Sequence, residues 1–581
     1  VFVSYYVLIC LFIYSKKQKK IIEIVKKFFV YFLLLGSVFI FADENVDNLD
    51  PWPSKLRLSG GGATRYGGVV ILDYLMPVYY SRDKEKLLFF NPKERFLFPF
   101  SAETNLGLGF RTILKDKVIV GINYYHDIQY SRHKKWYNQN GVGVELLSHP
   151  IDVRFNYYIP STHAKKIGDT TYELGSINLL MINRWEVPLQ GCDFEIGGPI
   201  LEKYLKTRFY VGGFFYHSNF TFDFNGLRLR SESDIYEWLS LDALLEWPNR
   251  GKVNFAMDLR FNIPIYFGKR SNNPTKLSYI KDRLFERVIR DIDIQSSMVT
   301  KKEVDSDVNI IYVNNTNMLA GADGSLQKPY PALADAFASS RYLGNGGNAN
   351  YIYLFKGDGS SYLDHVELCD NVTLWGSGCD GGYKGIAILG HPVIDATDKI
   401  LGIVAGNNCT IMGVELINSM ASGIQIANVS NVCVHNNIIK YTQSYMSISN
   451  GAISVISSES DMDNINIYKN ICVNNDYVSG VFVQNSIYNY VIKNVIVENN
   501  DIHDNAKGIT ILASNKYGEI RDINILSNQV VNNGVGISLQ VDNPVAESFT
   551  NNVMISSNFI SNNVDGIVLL NVANTAVVYP S

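Results

Sequence analysis

Residues Gly251–Gln295 read GKVNFAMDLRFNIPIYFGKRSNNPTKLSYIKDRLFERVIRDIDIQ, an alternating strand that stops and hands over to a charged segment. Val253, Phe255, Met257, Leu259 and Phe261 fall on one face, and Asn254, Ala256, Asp258, Arg260 and Asn262 on the other. Period two with an unbroken apolar face suits a strand whose outer side meets lipid and whose inner side meets water. It equally suits a strand packed on a soluble core, so the surroundings must decide. Past the strand, Leu284 and Val288 are four apart and predict a short helical face, while Arg283, Glu286, Arg287, Arg290, Asp291 and Asp293 offer charges to a polar lumen. A chain passing back through a pore needs such a segment; a solvated interdomain linker has the same composition. Lys301–Asp307 reads as a solvated spacer of mixed charge.

Upstream, from about Lys55 to Phe267, the alternation repeats. Leu106, Leu108 and Phe110 oppose Asn105, Gly107, Gly109 and Arg111; Val118, Val120, Ile122 and Tyr124 oppose Gly121 and Asn123. Val142, Val144 and Leu146 oppose Gly141, Gly143 and Glu145, and Val153, Phe155 and Tyr157 oppose Asp152, Arg154 and Asn156. Lys206–Tyr216, Gly226–Ser233 and Tyr236–Trp247 continue the series. This makes roughly a dozen candidate strands of the ~9–11 residues that a tilted membrane-crossing strand requires. The soluble alternative is a sandwich or lipocalin-like barrel. Against it, the polar face mixes Gly with Arg111, Glu145, Arg154, Arg228, Arg230, Asp258 and Arg260, as a wet lumen would, and aromatics gather at Tyr79-Tyr80, Tyr124-Tyr125, Tyr157-Tyr158 and Phe214–Tyr216, as a membrane girdle would. An even-numbered antiparallel barrel is the expected closure.

Downstream of about Asn309 the composition shifts to Asn, Ile and Val. A Gly followed by alternating apolar residues recurs at Gly423–Ile426, Gly480–Val483, Gly508–Ile511, Gly536–Leu539 and Gly566–Leu569, with a variant at Gly451–Val455, at intervals of 28 to 30 residues. Such a period signals a solenoid. A second motif precedes most of these: Val432-x-Val434-x-x-Asn437, Ile465-x-Ile467-x-x-Asn470, Val495-x-Val497-x-x-Asn500, Ile523-x-Ile525-x-x-Asn528 and Val553-x-Ile555-x-x-Asn558. Each turn therefore supplies at least two short strands joined by Asn-rich corners, with Ile and Val stacked inside and Asn amides bonded along the stack. Asn also tolerates the left-handed backbone of tight corners. A right-handed parallel β-helix satisfies the pattern. A helical piece near Ala332–Ser340 is expected to cap its open end, and Thr575–Tyr579 carries no polar cap, so the chain is expected to continue past Ser581.

Length and composition are consistent with this division. A chain of 581 residues exceeds one core. A net charge of −4 creates no field toward nucleic acid, and no basic, aromatic-interleaved stripe exists. Lys26 and Lys27, the apolar run Phe28–Phe41, then Ala42 before Asp43-Glu44, describe a secretory signal. The run is shorter than the ~20 residues of a membrane-spanning helix. A second apolar run, Val1–Tyr14, precedes KKQKK, and no methionine occurs before Met76. Val25 read from an alternative start codon would give a compact signal sequence; a long two-part signal or an anchor is the rival reading. The seven cysteines, Cys10, Cys192, Cys369, Cys379, Cys409, Cys433 and Cys472, show no zinc spacing. Cys369 and Cys379 could pair in an oxidising compartment, while Cys409, Cys433 and Cys472 read as small buried core residues.

The barrel residues, taken in order, resemble the β-domain of the inverse autotransporters, the intimin and invasin group. The series runs through Asn105–Arg111, GINYYHD at Gly121–Asp127, Gly141–Glu145, YIP ending at Pro160, CDFEIGGP at Cys192–Pro199, RFYVGGFFY at Arg208–Tyr216, EWLSLDA at Glu237–Ala243 and LRFNIPIYFG at Leu259–Gly268. RLFERVIRDIDI, Arg283–Ile294, is similar to that family's linker. Lys165–Gln190 departs from the pattern and leaves strand assignment there open. Ile311–Ser340 and Tyr351–Gly378 resemble the opening of pectin-lyase-like β-helices. The resemblance implies a twelve-stranded outer-membrane barrel, placed in lipid by the barrel-assembly machinery, with an exported passenger after it.

The expected class is all-β: a transmembrane antiparallel barrel of about 12 strands plus a right-handed parallel β-helix. The expected domains are a signal region at 1–42, a short periplasmic segment at 43–54, the barrel at 55–268, a linker threading it at 269–308 and the β-helix passenger at 309–581. The expected role is type V secretion: an outer-membrane inverse autotransporter that displays its passenger at the cell surface for adhesion or host-cell contact, with a surface receptor or glycan as partner and no nucleic acid. The alternative is a surface-anchored polysaccharide lyase or hydrolase. A third reading, a transport porin, predicts a lumen free of the linker. Enzymes on this fold need clustered carboxylates, whereas Asp358, Asp364, Asp395, Asp501, Asp504 and Asp565 are scattered through corners. Asp501, His503 and Asp504 are the best local trio, yet they lie where other turns carry Asn. Gly321–Ser325, GADGS, reads as a turn rather than a calcium loop. No P-loop, nucleophile elbow or paired metal motif occurs, so no catalytic, metal or cofactor residue is expected.

Overall fold

The computed structural model describes residues 53–579 apart from 65–66, 99–100, 202–205, 266–278, 292, 340–341, 343–349, 444–449, 487–489, 515–518, 542–549 and 571–575. The expected signal region, most of the short segment at 43–54, and Cys10 lie outside the described residues. The chain divides into two compact units, one holding the chain up to Gly168 together with Arg184–Val299, the other Asp169–Asn183 together with Thr300–Ser581.

The first unit is built on a closed antiparallel barrel of twelve strands. In chain order the strands are β1 (Ser54–Ala63), β2 (Gly67–Tyr80), β3 (Lys86–Leu97), β4 (Ser101–Leu114), β5 (Val118–Tyr130), β6 (Trp136–Ser148), β7 (Asp152–Pro160), β8 (Lys165–Leu174), β9 (Asn178–Pro188), β10 (Gln190–Leu201), β11 (Lys206–His217), β12 (Phe224–Tyr236), β13 (Leu239–Pro248) and β14 (Asn254–Ile265). All but β8 and β9 belong to the barrel, which β1 closes on β14 with Ser54 opposite Ile265. The departure at Lys165–Gln190 thus has a structural meaning: β7 pairs directly with β10, and the intervening hairpin is not part of the barrel. The expected strand Tyr236–Trp247 is also corrected, because Tyr236 ends β12 and Glu237-Trp238 form the turn into β13.

The barrel is turned inside out relative to a soluble core. Leu106, Leu108, Phe110, Val142, Val144 and Leu146 are exposed, as are Val253, Phe255, Met257, Leu259 and Phe261 of the alternating stretch; Asn105, Arg111, Glu145, Arg154, Asn254 and Arg260 are buried. An outward apolar belt of this extent is what lipid solvates. Exposed aromatics mark its rims: Tyr236 stacks on Trp238 at one end, and Trp136 and Trp247 stand at the other. The aromatic doublets serve two faces rather than one girdle. Tyr124 and Tyr157 point outward, while Tyr125 and Tyr158 are fully buried inside.

The second unit contains three parallel sheets, each of which gains one strand per repeat. One repeat is Glu519–Leu526, Gln529–Val531 and Val535–Val541, contributing to the first, second and third sheet respectively. The Gly-initiated motifs form the third sheet and the Val/Ile-x-Ile motifs the first; the second sheet's strands follow each Asn corner and number three residues in most turns, too short to show periodicity. Inward residues align in columns, such as Ile467, Val497, Ile525 and Ile555, and form one continuous buried core. Glycines stand first or second in the third-sheet strands from Ser422 on, where consecutive turns approach closely: a Cβ on Gly508 would lie 2.3 Å from the carbonyl oxygen of Gly536. The helix Leu333–Ala338 places Leu333 and Ala336 in the same core.

Corners are closed by asparagine ladders. Asn437, Asn470, Asn500, Asn528 and Asn558 are linked by amide bonds, each Nδ2 donating to the next Oδ1 at 2.9–3.1 Å. Five residues on, Asn475, Asn505, Asn533 and Asn563 form a second ladder at 2.7–3.1 Å. The residue before each first-ladder Asn is left-handed, as at Asn436, Lys469, Asn499, Ser527 and Ser557, with φ between 53° and 57°. Each ladder amide also satisfies a strand carbonyl, Asn500 donating to Ile467 O at 2.9 Å, so the buried corner backbone keeps its partners.

The expected solvated spacer at Lys301–Asp307 is exposed apart from half-buried Asp305, but it is strand throughout, within β15 (Ser296–Val313). Cys433 is also corrected: Val432 and Val434 point inward and Cys433 lies half-buried on the outer side, whereas Cys409 and Cys472 are core residues. Cys369 and Cys379 are unpaired.

Candidate functional site: the filled barrel lumen

Twelve strands leave an interior to be filled, and the linker fills it. Tyr279–Asp282 is one helical turn and Arg283–Phe285 a turn of 3-10 helix, after which Glu286 is extended (ψ 150°). The expected helical face over Leu284 and Val288 therefore ends before Val288. Leu284, Phe285 and Val288 instead pack together against Leu75, Leu87, Phe89, Ile113, Ile119 and Leu147.

The direction of the segment is fixed by its contacts. β14 ends beside the start of β1, and that end of the barrel also carries the turns 81–85, 115–117, 149–151 and 237–238, of two to five residues each. There Lys281 donates to Asp83 O at 2.7 Å, and Arg283 donates to Ser148 O and to both oxygens of Asp152 at 2.8 Å. Near mid-barrel Lys93 donates to Val288 O at 2.8 Å. Toward the opposite end Ile294 N–H reaches Glu103 at 3.4 Å, Ser296 donates to Glu186 at 3.2 Å, and Ser297 meets Thr221 at 3.0 Å. Residues 279–297 thus run the length of the barrel, entering where β14 finishes.

Two kinds of contact hold the segment. The first reads its backbone: Arg111 donates to Leu284 O at 2.7 Å and Glu286 O at 2.6 Å, Arg57 to Phe285 O, Lys93 to Val288 O, and Asn156 to Ile289 O at 3.2 Å. An extended chain offers carbonyls with no intrachain partner, and buried carbonyls must be satisfied; here the lumen supplies the donors. The second reads side chains. Arg283 pairs with Asp152, Glu286 with Arg208 at 2.5 Å, Arg287 with Asp242 at 2.9 Å, and Arg290 with both oxygens of Asp127 at 2.6 Å. Asp291 accepts from Tyr216 at 2.8 Å and Arg228 at 3.4 Å, and Asp293 pairs with Arg95. All six charged residues singled out in the sequence are therefore engaged.

Arg290 is held by both charge and ring contacts. Its guanidinium lies over the Tyr125 ring at 4.3 Å and the Tyr158 ring at 5.4 Å while bonding Asp127 in bidentate fashion. The small residues of the inward face leave the necessary room. A Cβ on Gly141 would meet the Arg290 guanidinium at 2.5 Å, and Cβ atoms on Gly107 and Gly109 would collide with the rings of Tyr125 and Phe89 at 2.1 and 2.2 Å. Elsewhere the walls are cross-braced: Arg154 and Arg230 share Glu195, Arg230 and Arg260 share Glu232, and Arg260 bonds Asp242. The lumen is consequently packed with side chains around the segment. The porin reading fails on this geometry, since it needs the lumen free of the linker.

Among its described residues the second unit brings no comparable network together. His503 bonds Asp504 at 2.7 Å, but the turns above and below place Ile471 and Gln529 beside Asp501, and Val473 and Val531 beside His503. Asp395 accepts from Thr397 at 2.6 Å and Asn418 at 3.0 Å, and Asp358 from Ser360 at 2.6 Å; both serve turns. Asp323 of the GADGS stretch receives Ser325 N–H at 2.9 Å, also a turn. Among the described residues no group of three or more His, Cys, Asp or Glu is placed to hold a metal. The residues sequence reading missed are the backbone readers Arg57 and Lys93, and it placed Asn156 on the polar face without this contact. Their signal was an inward-facing donor in each case, but which donors reach a carbonyl depends on barrel closure.

Residues 69–210, running from β2 into the first half of β11, match the family model described as the inverse autotransporter β-domain. No curated protein matches the sequence. Solved structures similar to the chain include one from a study of in-meso crystallization of membrane proteins, at 15% identity, covering 43% of this chain and 100% of that one with a TM-score of 0.34. The translocator domain of the autotransporter NalP from Neisseria meningitidis is 10% identical, with 42% and 98% covered and a TM-score of 0.19. The transport unit of the autotransporter AIDA-I from Escherichia coli is 11% identical, with 41% and 97% covered and a TM-score of 0.15.

Proposed function

We infer that the chain is an outer-membrane inverse autotransporter: the barrel anchors it in lipid, the segment 279–297 is the exit path, and the three-sheet stack is a right-handed parallel β-helix passenger displayed at the cell surface for adhesion or host contact. The observation that carries this reading is the passage of residues 279–297 through the lumen from the end where β14 finishes. A pore that only conducted solutes would gain nothing from donors placed on the carbonyls of its own following segment. The family match over residues 69–210 supports the same reading. So does the asymmetry of connections: short turns lie where β1 begins and β14 ends, and the 161–189 connection lies at the other end, as periplasmic turns and outer loops do.

The passenger's work is display and binding, not chemistry. Its partner is a surface receptor or glycan, and lipid and the barrel-assembly machinery are the partners of the anchor. Protease added to intact cells expressing the chain is expected to cut beyond residue 300 and spare the barrel; cleavage confined to the barrel turns would reverse the orientation. Turnover of a polysaccharide by the full chain, lost on changing a carboxylate pair, would replace adhesion with catalysis.

A further inference from the structure

Asp169–Asn183 sits in sequence between barrel strands β7 and β10, yet it belongs to the second unit, whose remaining residues all lie beyond Val299. It forms most of the β8–β9 hairpin, and β9 is the hydrogen-bonded neighbour of β15, the first strand of the parallel sheet. Ile310 N–H donates to Ile177 O and Leu326 N–H to Ser176 O, both at 2.7 Å; the Tyr312 hydroxyl donates to Gly175 O at 2.9 Å, and Tyr172 N–H to Lys384 O at 2.8 Å. Lys302–Glu173 and Lys384–Asp169 ion pairs, each 2.6 Å, flank the contact.

The outer face of the first sheet explains why the hairpin stands there. One outward column reads Tyr312, Tyr353, Trp375, Met412, then His435, Tyr468 and Glu498. Its first four members are buried in a cluster of their own, with fully buried Leu179 of β9 and partly buried Tyr172 and Leu174 of β8 packed on it. In this column the buried apolar residues are those of the turns that share a cluster with the hairpin.

Parallel stacks are slow to start. The first pairing closes a long loop before any contact rewards it, and an unpaired first strand is an exposed edge. A hairpin is local and quick to form. We propose that Asp169–Asn183 is a built-in folding template: it forms with the barrel, β15 adds to it as the next strand, and each later turn adds in parallel, so that the stack folds in order from β15 toward Tyr579. The inference rests on the display reading for the barrel being in place first. Its test does not use export, so failure of either is distinguishable.

The full chain is embedded in detergent micelles, its stack unfolded in denaturant while heat-modifiable mobility confirms the barrel intact, and refolding is followed by pulsed hydrogen exchange. In the unmodified chain the amides of Ile310, Tyr312 and Tyr351–Leu354 are expected to gain protection before those of Glu519–Leu526. Protection appearing first in the later turns, or everywhere at once, would overturn the template. Leu179→Ala is expected to slow refolding about tenfold with little change in unfolding rate, as a contact formed in the transition state does, while Val530→Ala mainly speeds unfolding. A Leu179→Ala variant that only unfolds faster would reduce the hairpin to a packing contact.

Discussion

The barrel and the stack use the same local rule, side chains alternating in and out along a strand, and reach opposite interiors. The barrel places Leu259 and Phe255 outward and Arg111, Asp127 and Arg290 inward, whereas the stack places Ile525 and Val497 inward and polar residues outside. What differs is the surrounding medium. Lipid takes the apolar face of the barrel and leaves its charges to pair among themselves, while water takes the polar face of the stack and leaves Ile and Val to close a dry core. The polar groups that remain buried are treated differently too: guanidinium–carboxylate pairs in one, neutral amide ladders in the other.

A single substitution type probes the apolar face of each unit, inward in the stack and outward in the barrel. Ile525→Lys puts an unpaired cation into the apolar column, where the effective penalty is several kcal/mol even after relaxation; a lowered urea midpoint for the stack, with the barrel still heat-modifiable, is the expected outcome. The same change at lipid-facing Leu259 is expected to cost about 2–4 kcal/mol, read from unfolding of the barrel in bilayers. A lysine tolerated at either site would break this account of the two apolar faces.

Arg290→Ala addresses the charged interior. It leaves the Asp127 carboxylate buried without its bidentate partner, at about 3–5 kcal/mol. Because that residue holds the middle of the exit segment, planar-bilayer recordings are expected to show a closed wild-type barrel and a variant that opens to ion flow.

Asn500→Ala addresses the neutral one. Asn470 loses the acceptor for both its backbone N–H and its side-chain amide, and Ile467 O loses its donor. A loss of about 1–3 kcal/mol is expected from urea unfolding of the stack. Asn437 at the ladder's beginning is a useful second position; a negligible change at both would show that the amides do not act as a ladder.

The smallest expected effect is a pH dependence of the stack. Burial holds the His435 imidazole below its ordinary value, with Lys469 acting in the same direction, and the ring stacks on Tyr468 at 4.7 Å. The unfolded chain therefore binds the proton at higher pH than the folded chain does. Stability from this group is complete above an ordinary histidine pKa of about 6.5 and declines as pH falls below it. Denaturant midpoints at pH 7 and pH 5 should differ in that sense, and His435→Gln should flatten the difference.

Much of this architecture was legible from residue patterns because period two survives barrel closure. Val253–Phe261 and Asn105–Arg111 show the same alternation in sequence and in exposure, and the 28 to 30 residue interval translates directly into stacked turns. Illegible features were those that depend on three-dimensional closure. The second-sheet strands, such as Asp501–His503, are too short to carry a period. The second ladder was present as an Asn five residues after the first, at Asn475, Asn505, Asn533 and Asn563, but nothing local distinguishes it from a solvated corner. Val288 was read as helical from its spacing to Leu284, whereas contacts from Lys93 and Asn156 to neighbouring carbonyls favour an extended chain. Lys301–Asp307 looked like a spacer because it is charged and exposed on both faces, and strand pairing is not visible in composition.

The central claim is that residues 279–297 carry the chain through the barrel and leave the stack outside. The molecule holds its own reporter for this. Cys369 is exposed on the second unit, whereas Cys379, Cys409 and Cys472 are buried, and burial pushes the Cys472 thiol up to about 12, away from reaction. Intact cells expressing the chain are treated with a membrane-impermeant maleimide. Labelling before any permeabilisation, abolished by Cys369→Ser, is the predicted result; labelling that appears only after the outer membrane is opened would contradict the account.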